Sequence, residues 1–262
     1  MKFLAAVACV VTAVATAAAQ VAEARGEMAA QAKAQPRLTR AATAPEVLRA
    51  CREMLPRRPI ELTGSLILRN RKGIVQKEFA YRLEMRRGPE KTSLAIDLSE
   101  GEGAESKEVA SVKIERSGNA QPTIQFVSGG EAKKVGSLLD RVLETDVTWL
   151  DLTFDFLWWT DAAYEAAREG ETVHGQTCMV ILVRPPAKIE GLEAVRLWAD
   201  KKTGCLMQAE QLGDGMKPLR RLWGTRVKKF GDLWMVSVLE VETLGSRHRT
   251  KITVDTLQGL EN

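Results

Sequence analysis

From Ile60 onward, the chain is built from segments in which apolar residues recur at every second position. In a strand, such alternation places successive side chains on opposite faces, so that one face can be buried. Turn signals such as Asp214-Gly215, a typical hairpin dipeptide, separate the segments. The pattern predicts eleven strands, at residues 62–69, 74–86, 92–98, 109–116, 122–127, 171–183, 192–200, 205–212, 219–230, 233–243 and 248–257.

Short turns between successive strands predict an antiparallel, up-and-down sheet. A sheet of about eleven strands rarely stays flat, so we expect it to curl towards a half-open barrel. One helix precedes the sheet, since Thr43 can cap it, Pro45 fits its first turn, and Pro56 ends it. Cys51 lies on the apolar stripe of this helix and is expected to be a small core residue.

The N-terminal residues have the layout of a secretory signal peptide. Lys2 provides a positive charge, an apolar run follows, and Ala17-Ala18-Ala19 fits a cleavage site. We therefore predict a signal peptide at 1–19, a flexible linker rich in Ala, Gln and Arg at 20–44, and one domain at 45–262. The alternatives are an uncleaved membrane anchor and lipidation at Cys9, whose preceding apolar run is too short for a lipoprotein signal.

Composition and charge exclude several classes of protein. Lys plus Arg number 38 and Asp plus Glu 34, an excess too small for a dedicated nucleic-acid binder. No apolar run of 18 residues occurs after the N-terminus, so no internal transmembrane helix is expected.

The sequence also lacks the common catalytic and metal-binding patterns. The only histidines, His174 and His248, have no metal-ligand spacing around them. There is no Gly-x-Ser-x-Gly turn and no phosphate-binding loop. We therefore predict a protein that is not an enzyme and needs no cofactor or metal. One predicted strand separates Cys178 from Cys205, about 9–10 Å, which is too far for a disulfide.

Residues 131–168 interrupt the strand pattern, and within them residues 144–159 mix acids with large apolar side chains. This mixture predicts a segment with one buried and one wet side, in which Asp146, Asp151 and Asp155 cap turns or face solvent. Its apolar residues either fill the interior as ordinary core or line a ligand cavity, and both interpretations remain open. The candidates are Trp149, Phe154, Phe156, Leu157, Trp158 and Trp159.

Strand alternation indicates one further group of candidate residues, and charge indicates another. Val195, Leu197 and Ala199 share an apolar strand face, which we expect to form part of a concave wall. The strand at 219–230 is rich in basic residues, which form either a solvated face or a contact with anionic lipid head groups or an acidic partner. These are Arg220, Arg221, Arg226, Lys228 and Lys229.

Several motifs together resemble the LolA-like outer-membrane lipoprotein-sorting proteins. They are Thr-Asp-Val-Thr at 145–148, Phe-Leu-Trp-Trp at 156–159, Val173-x-Gly175-x-x-Cys178, Pro185-Pro186, Val-Arg-Leu-Trp-Ala-Asp at 195–200 and Arg-Thr-Lys-Ile at 249–252. The resemblance is densest over 144–256 and implies a half-open barrel with a helical lid over an apolar cavity. It further implies a periplasmic location, at or near the outer membrane, and acyl chains as the ligand.

Two functions follow as expectations. The first is a monomeric carrier for lipid or lipoprotein acyl chains, which exchanges them with a membrane or a membrane acceptor. The second is an interaction or structural module of the same fold with a filled interior. If a ligand binds under the lid, the surroundings of Trp158 or Trp159 should change more than those of Trp223 or Trp234.

Overall fold

The structure, a computed structural model, describes residues 42–88, 90–101, 106–231 and 233–260, with only the backbone of Trp234. The predicted signal peptide and nearly all of the predicted linker lie outside these residues. The helices are α1 (Ala44–Glu53) and α2 (Trp149–Thr153), with short 3-10 turns at Asp155–Trp158, Ala166–Arg168 and Asp214–Met216. The strands are β1 (Ile60–Asn70), β2 (Val75–Arg87), β3 (Lys91–Glu100), β4 (Lys107–Ser117), β5 (Thr123–Ser128), β6 (Glu131–Lys133), β7 (Asp161–Tyr164), β8 (Thr172–Val173), β9 (Gln176–Arg184), β10 (Ala194–Asp200), β11 (Leu206–Gly213), β12 (Lys217–Phe230), β13 (Leu233–Thr243) and β14 (His248–Gly259).

The described strands form one open antiparallel sheet in the order β6-β5-β4-β3-β2-β1-β14-β13-β12-β11-β10-β9-β7, with β8 paired to β9. The first and last strands of the main domain are neighbours, because β1 pairs with β14 over its whole length. This seam joins the strands before the interrupting segment to those after it. The mainly β, antiparallel architecture predicted from the sequence is therefore confirmed. The strand order ends at β6 and β7 without closing, so the curling towards a half-open barrel stays a prediction.

The predicted number of eleven strands is wrong, because the described residues contain fourteen. Two of the missed strands, β6 and β7, have only 3 and 4 residues, too few to establish a period of two. The third, β8, was merged with β9 into one predicted strand at 171–183. A turn at His174 and Gly175, both with positive φ, separates them and forms a small hairpin.

Helix α1 forms where it was predicted. The Glu46 carboxylate accepts hydrogen bonds from the Thr43 backbone N–H and hydroxyl, at 2.6 and 2.9 Å. One stripe of the helix, including Val47, Leu48 and Cys51, is buried against β7, β9 and the turn at Asp155–Trp158. The assignment of Cys51 to the core is thus confirmed. No helix in the described residues is long and apolar enough to cross a membrane.

The core consists of one large apolar cluster on one face of the sheet and two small clusters formed by residues of β8–β11. The alternation predicted for β10 holds, since Val195, Leu197 and Ala199 join the large cluster. Ala194 and Trp198, at alternate positions, belong to the small ones. Every residue of β10 is buried, so this strand is covered on both faces.

The seam between β1 and β14 depends on a glycine. The register of the two strands shifts at Thr63/Gly64, and a Cβ on Gly64 would lie 1.8 Å from the Thr253 carbonyl oxygen. Gly64→Ala should therefore force the strands apart and lower the free energy of unfolding by about 2 kcal/mol or more. Gly259→Ala, where a Cβ would meet nothing within 4 Å, is the matched control. Urea unfolding measures both, and equal midpoints would contradict the proposed role of Gly64.

Candidate functional site

An apolar cavity of about 280 Å³ lies against the sheet. Its walls come from strands on both sides of the β1–β14 seam, from the end of α1, and from residues 151–158. Almost all of these side chains are apolar, which suits the cavity for hydrocarbon. Representative wall residues are Leu83, Leu94, Ile96, Leu222, Leu239 and Ile252.

Residues 145–159, which we call the central segment, form one side of this cavity. Thr148 caps α2, with its hydroxyl accepting from the Asp151 N–H and the Asp151 carboxylate accepting in return from the Thr148 N–H and hydroxyl. Phe154 then adopts a left-handed conformation, φ 46°, which ends α2 and begins the next turn. This reversal points Leu152 and Phe154 into the cavity together with Leu157 and Trp158.

All three aspartates of the central segment are buried, so the expectation that they face solvent is wrong, whereas Asp151 does take part in capping α2. Asp151 accepts from Arg220 at 3.0 Å and from Gln211 at 2.8 Å. Asp155 pairs with Arg116. Alternation in the sequence could not reveal these partners, because they come from strands far along the chain.

The remaining contacts of the segment are also internal. The Trp159 indole N–H donates to Asp155 at 2.9 Å. The Asp146 N–H donates to the Thr250 hydroxyl at 2.8 Å, and His248 lies 4.0 Å from the Asp146 carboxylate. The segment is thereby tied to β4, β11, β12 and β14. The Arg116 guanidinium on β4 also stacks over the Trp158 ring of the segment, 4.5 Å from the ring centroid.

The candidate residues of the central segment divide into two groups. Phe154, Leu157 and Trp158 line the cavity. Trp149 packs edge to face against Phe126, 5.0 Å between ring centroids, and is not part of the cavity wall. Phe156 and Trp159 are likewise buried in the core away from the wall.

Val195 and Leu197 are fully buried in the large cluster and do not line the cavity. They belong to the apolar cluster against which Leu206, a wall residue of the neighbouring strand β11, also packs. A binding role for these two residues remains a prediction.

The basic residues of β12 do not form one patch, which corrects the expectation from charge. Arg220 is buried, where it donates to Asp151 and to the Thr243 hydroxyl. Arg221 binds Glu210 at 2.9 Å. The pairing of β12 with β13 is irregular between Gly224 and Val227, and this irregularity interrupts the alternation of side chains between the two faces of β12. Arg226, within this irregular stretch, and Lys228 and Lys229, beyond it, are exposed.

Several wall residues were not anticipated from the sequence. Trp223 lines the cavity, as do Tyr81 and the thiol-bearing Cys51 and Cys205. The apolar alternation of β1 to β3 indicated a buried face but not which part of it borders open space. All cysteines of the described residues are free, in agreement with the predicted absence of a Cys178–Cys205 bridge.

Burial keeps the three cysteine side chains of the described residues in the protonated thiol form. Burial raises the pKa of Cys205 to about 12 and that of Cys178 to about 11. Burial also raises the pKa of Cys51 well above its usual value. Since the thiolate is the reactive form, these groups stay protonated and inert at neutral pH. Within the described ranges no group of three His, Cys, Asp or Glu side chains could hold a metal ion.

Solved structures share this fold at low sequence identity. A DUF1329 family protein from Desulfovibrio piger matches with a TM-score of 0.69 and 14% identity, over 86% of this chain and 94% of its own. A domain assigned to the outer membrane lipoprotein-sorting proteins, from Vibrio parahaemolyticus, matches with a TM-score of 0.70 and 14% identity, over 83% and 94%. A LolA superfamily protein from Nitrosomonas europaea matches with a TM-score of 0.62 and 14% identity, over 85% of this chain and 96% of its own.

The chain therefore shares its fold with these DUF1329 and LolA superfamily proteins, and the LolA-like fold is the one that the sequence motifs indicated. A family model described only as "uncharacterized protein" matches residues 132–259, which include the central segment and the strands after it. No curated protein matches the sequence.

The Arg116–Asp155 pair can be tested for its hold on the central segment. Both side chains are almost fully buried, so Arg116→Met leaves a buried carboxylate whose one remaining partner among the described residues is the Trp159 N–H. Stability should fall by about 3 kcal/mol or more, and Arg116→Met/Asp155→Asn should recover much of it. Lys91→Met, which removes the exposed pair with Glu115, should cost less than about 1 kcal/mol. Equal losses in urea unfolding for the two single variants would contradict this role.

Proposed function

We propose that this protein is a non-enzymatic carrier that binds acyl chains of lipids or lipoproteins in the cell envelope. The observation that carries the proposal is the apolar cavity between the sheet and the central segment, about 280 Å³ in volume. A module with a filled interior, the alternative function, would have no use for such a cavity. The fold neighbours add support, because one is assigned to lipoprotein sorting.

The energy of binding would come from removing hydrocarbon from water. Each buried methylene contributes about 0.8 kcal/mol, so a ligand with ten buried methylenes gains roughly 8 kcal/mol before the cost of association. Longer chains should therefore bind more tightly until the cavity is full. No covalent step is needed, and the protonated thiols in the wall would not react with the ligand.

In this proposal the sheet wraps round the ligand and the central segment acts as its lid. Wall residues on β3 and β12, which lie far apart in the strand order, border the same cavity, and this supports a sheet that curls round the ligand. Leu152, Phe154 and Trp158 would contact the ligand from the lid side. Opening would separate these side chains from the sheet, with the left-handed Phe154 as a place where the backbone can change direction.

The proposal also places the protein in the periplasm. Export would follow from the predicted signal peptide at 1–19, and the ligand would pass between the protein and a membrane or a membrane-bound acceptor. The exposed Arg226, Lys228 and Lys229 would favour approach to an anionic membrane surface, each basic residue near such a surface contributing about 1 kcal/mol. The protein would act as a monomer.

Filling the cavity should abolish binding without unfolding the protein. Leu94 lines the cavity on β3, so Leu94→Trp places an indole in the space proposed for the ligand. Leu219→Trp, at an exposed position outside the cavity, is the matched control. Calorimetric titration with alcohols of 8 to 14 carbons should show the dissociation constant of the wild type and the control falling about tenfold per two methylenes.

For Leu94→Trp, we expect no binding of the alcohols and only a small change in the free energy of unfolding. If the interior were filled, this variant would instead be destabilised by about 1–3 kcal/mol. That outcome, together with no binding of any alcohol to the wild type, would favour the interaction module.

Tryptophan fluorescence should report the ligand from specific positions. Because Trp158 and Trp223 line the cavity, a brominated acyl chain should quench their emission. This revises the expectation that Trp223 lies away from the ligand. Trp158→Phe and Trp223→Phe should each reduce the quenching, whereas Trp198→Phe, in a separate cluster, should not. Undiminished quenching in both cavity variants would place the ligand elsewhere.

A further inference from the structure

A second pocket, polar and about 460 Å³ in volume, adjoins the apolar cavity beside the end of α1. The two pockets share Arg87, Thr92 and Trp158 in their walls. The apolar cavity is bordered at the same end by Met54, Leu55 and Pro56. An amphiphile whose tail lies in the apolar cavity could therefore extend its head into the polar pocket without crossing a wall of the protein.

The polar pocket carries an excess of positive charge. Arg52, Arg57 and Arg87 line it, against the carboxylates of Glu53 and Glu90. Glu53 faces Arg57 at 4.0 Å, a distance at which an exposed pair is weak. In the described part of the chain, neither Arg52 nor Arg87 forms an ion pair with a carboxylate.

Arg87 is held in place by neutral groups rather than by an acid. Its guanidinium donates to the carbonyl oxygens of Arg52 and Leu55, at 2.9 and 3.0 Å, at the end of α1. Burial lowers the pKa of Arg87, and the charges of Arg57 and Arg52 lower it further. A half-buried guanidinium without an anionic partner gains from an anion that approaches it, and guanidinium groups bind phosphate and carboxylate through paired hydrogen bonds.

We infer that Arg52, Arg57 and Arg87 form a site for the anionic head group, phosphate or carboxylate, of an amphiphile whose acyl chain occupies the apolar cavity. The inference rests on the proposed carrier function and adds to it the chemical class of the ligand and its orientation. The head lies at the end of α1 beside Trp158, and the tail runs towards β12 and β13. An uncharged lipid of the same chain length would fill the cavity but leave the arginines without a partner.

The test compares ligands that share a tail and differ in the head. Dodecyl phosphate, dodecanol and inorganic phosphate are titrated calorimetrically into the mature protein at low salt, below the micellar concentration. The wild type should bind dodecyl phosphate at least about tenfold more tightly than dodecanol, since charge-assisted hydrogen bonds are the stronger kind. Inorganic phosphate alone should bind far more weakly than dodecyl phosphate, because it lacks the tail.

Charge-removing variants then locate the head group. Arg52→Gln/Arg57→Gln should bring the affinity for dodecyl phosphate close to that for dodecanol, while dodecanol binds as in the wild type and so reports an intact cavity. Lys113→Gln, an exposed residue of β4 that borders neither pocket, should retain the preference. Arg87 is left unchanged because it also holds the end of α1.

The failures are distinguishable. Equal binding of dodecyl phosphate and dodecanol to the wild type, or an unchanged preference in the double variant, would overturn the head-group site and leave the carrier function standing. Inorganic phosphate binding as tightly as dodecyl phosphate would indicate a site for the free anion and would also overturn it. If neither tailed ligand binds, the proposed carrier function fails, and the head-group site fails with it.

Discussion

The apolar face of the sheet is covered by a segment that is held in place by buried charge. Asp151 binds Arg220, and Asp155 binds Arg116, with all four side chains almost completely removed from solvent. Taking such groups out of water is costly, and only their mutual attraction and hydrogen bonds offset that cost. The central segment is therefore stable where its carboxylates meet their partners and unstable in any position where one of them is left buried and alone.

For the proposed carrier function, this constraint determines which movements of the segment would be compatible with ligand entry. A sliding motion would separate Asp151 from Arg220 while both remain in an apolar environment, which is the most costly case. A hinged opening would expose the carboxylates and guanidinium groups to water as they separate, and water then replaces the lost hydrogen bonds. If the central segment is the proposed lid, the ion pairs thus favour two positions, closed or open to solvent, over a gradual shift.

The general architecture could be predicted from the sequence because it follows from local patterns. Alternation marked the long strands, the proline positions bounded α1, and the two faces of β10 were assigned correctly. Strands as short as β6 and β8 carry too few residues for a period to emerge. The aromatic residues of the central segment were recognised as a group, but only Phe154 and Trp158 among its aromatics, with Leu157, border the cavity, because the left-handed turn at Phe154 decides which side each one faces.

The contacts that fix the site could not be predicted in the same way, because they join residues far apart in the chain. Asp151 and Arg220 are 69 positions apart, and Asp146 and Thr250 are 104 apart. Counted along the sequence, Arg220 is one of several neighbouring basic residues, and nothing local distinguishes it from the exposed Lys228. Which of them turns inward depends on the pairing of β12 with β11 and β13, including the irregularity near Gly224.

The strands of the sheet differ in whether one or both of their faces are covered, and this difference would affect how the sheet holds a ligand. Strands β9 to β11 have runs of consecutive buried residues, since side chains on both faces are covered. On the outer face of this region, Arg196 pairs with Glu165 and Glu210, and the Trp198 indole donates to Glu171 at 2.8 Å. Strands β2 and β4 bury alternate residues only and leave their other face to solvent. Because local opening is easiest where fewer apolar contacts must be broken, β2 to β4 would be the part of the proposed carrier that adjusts to chains of different length, while β9 to β11 stay fixed.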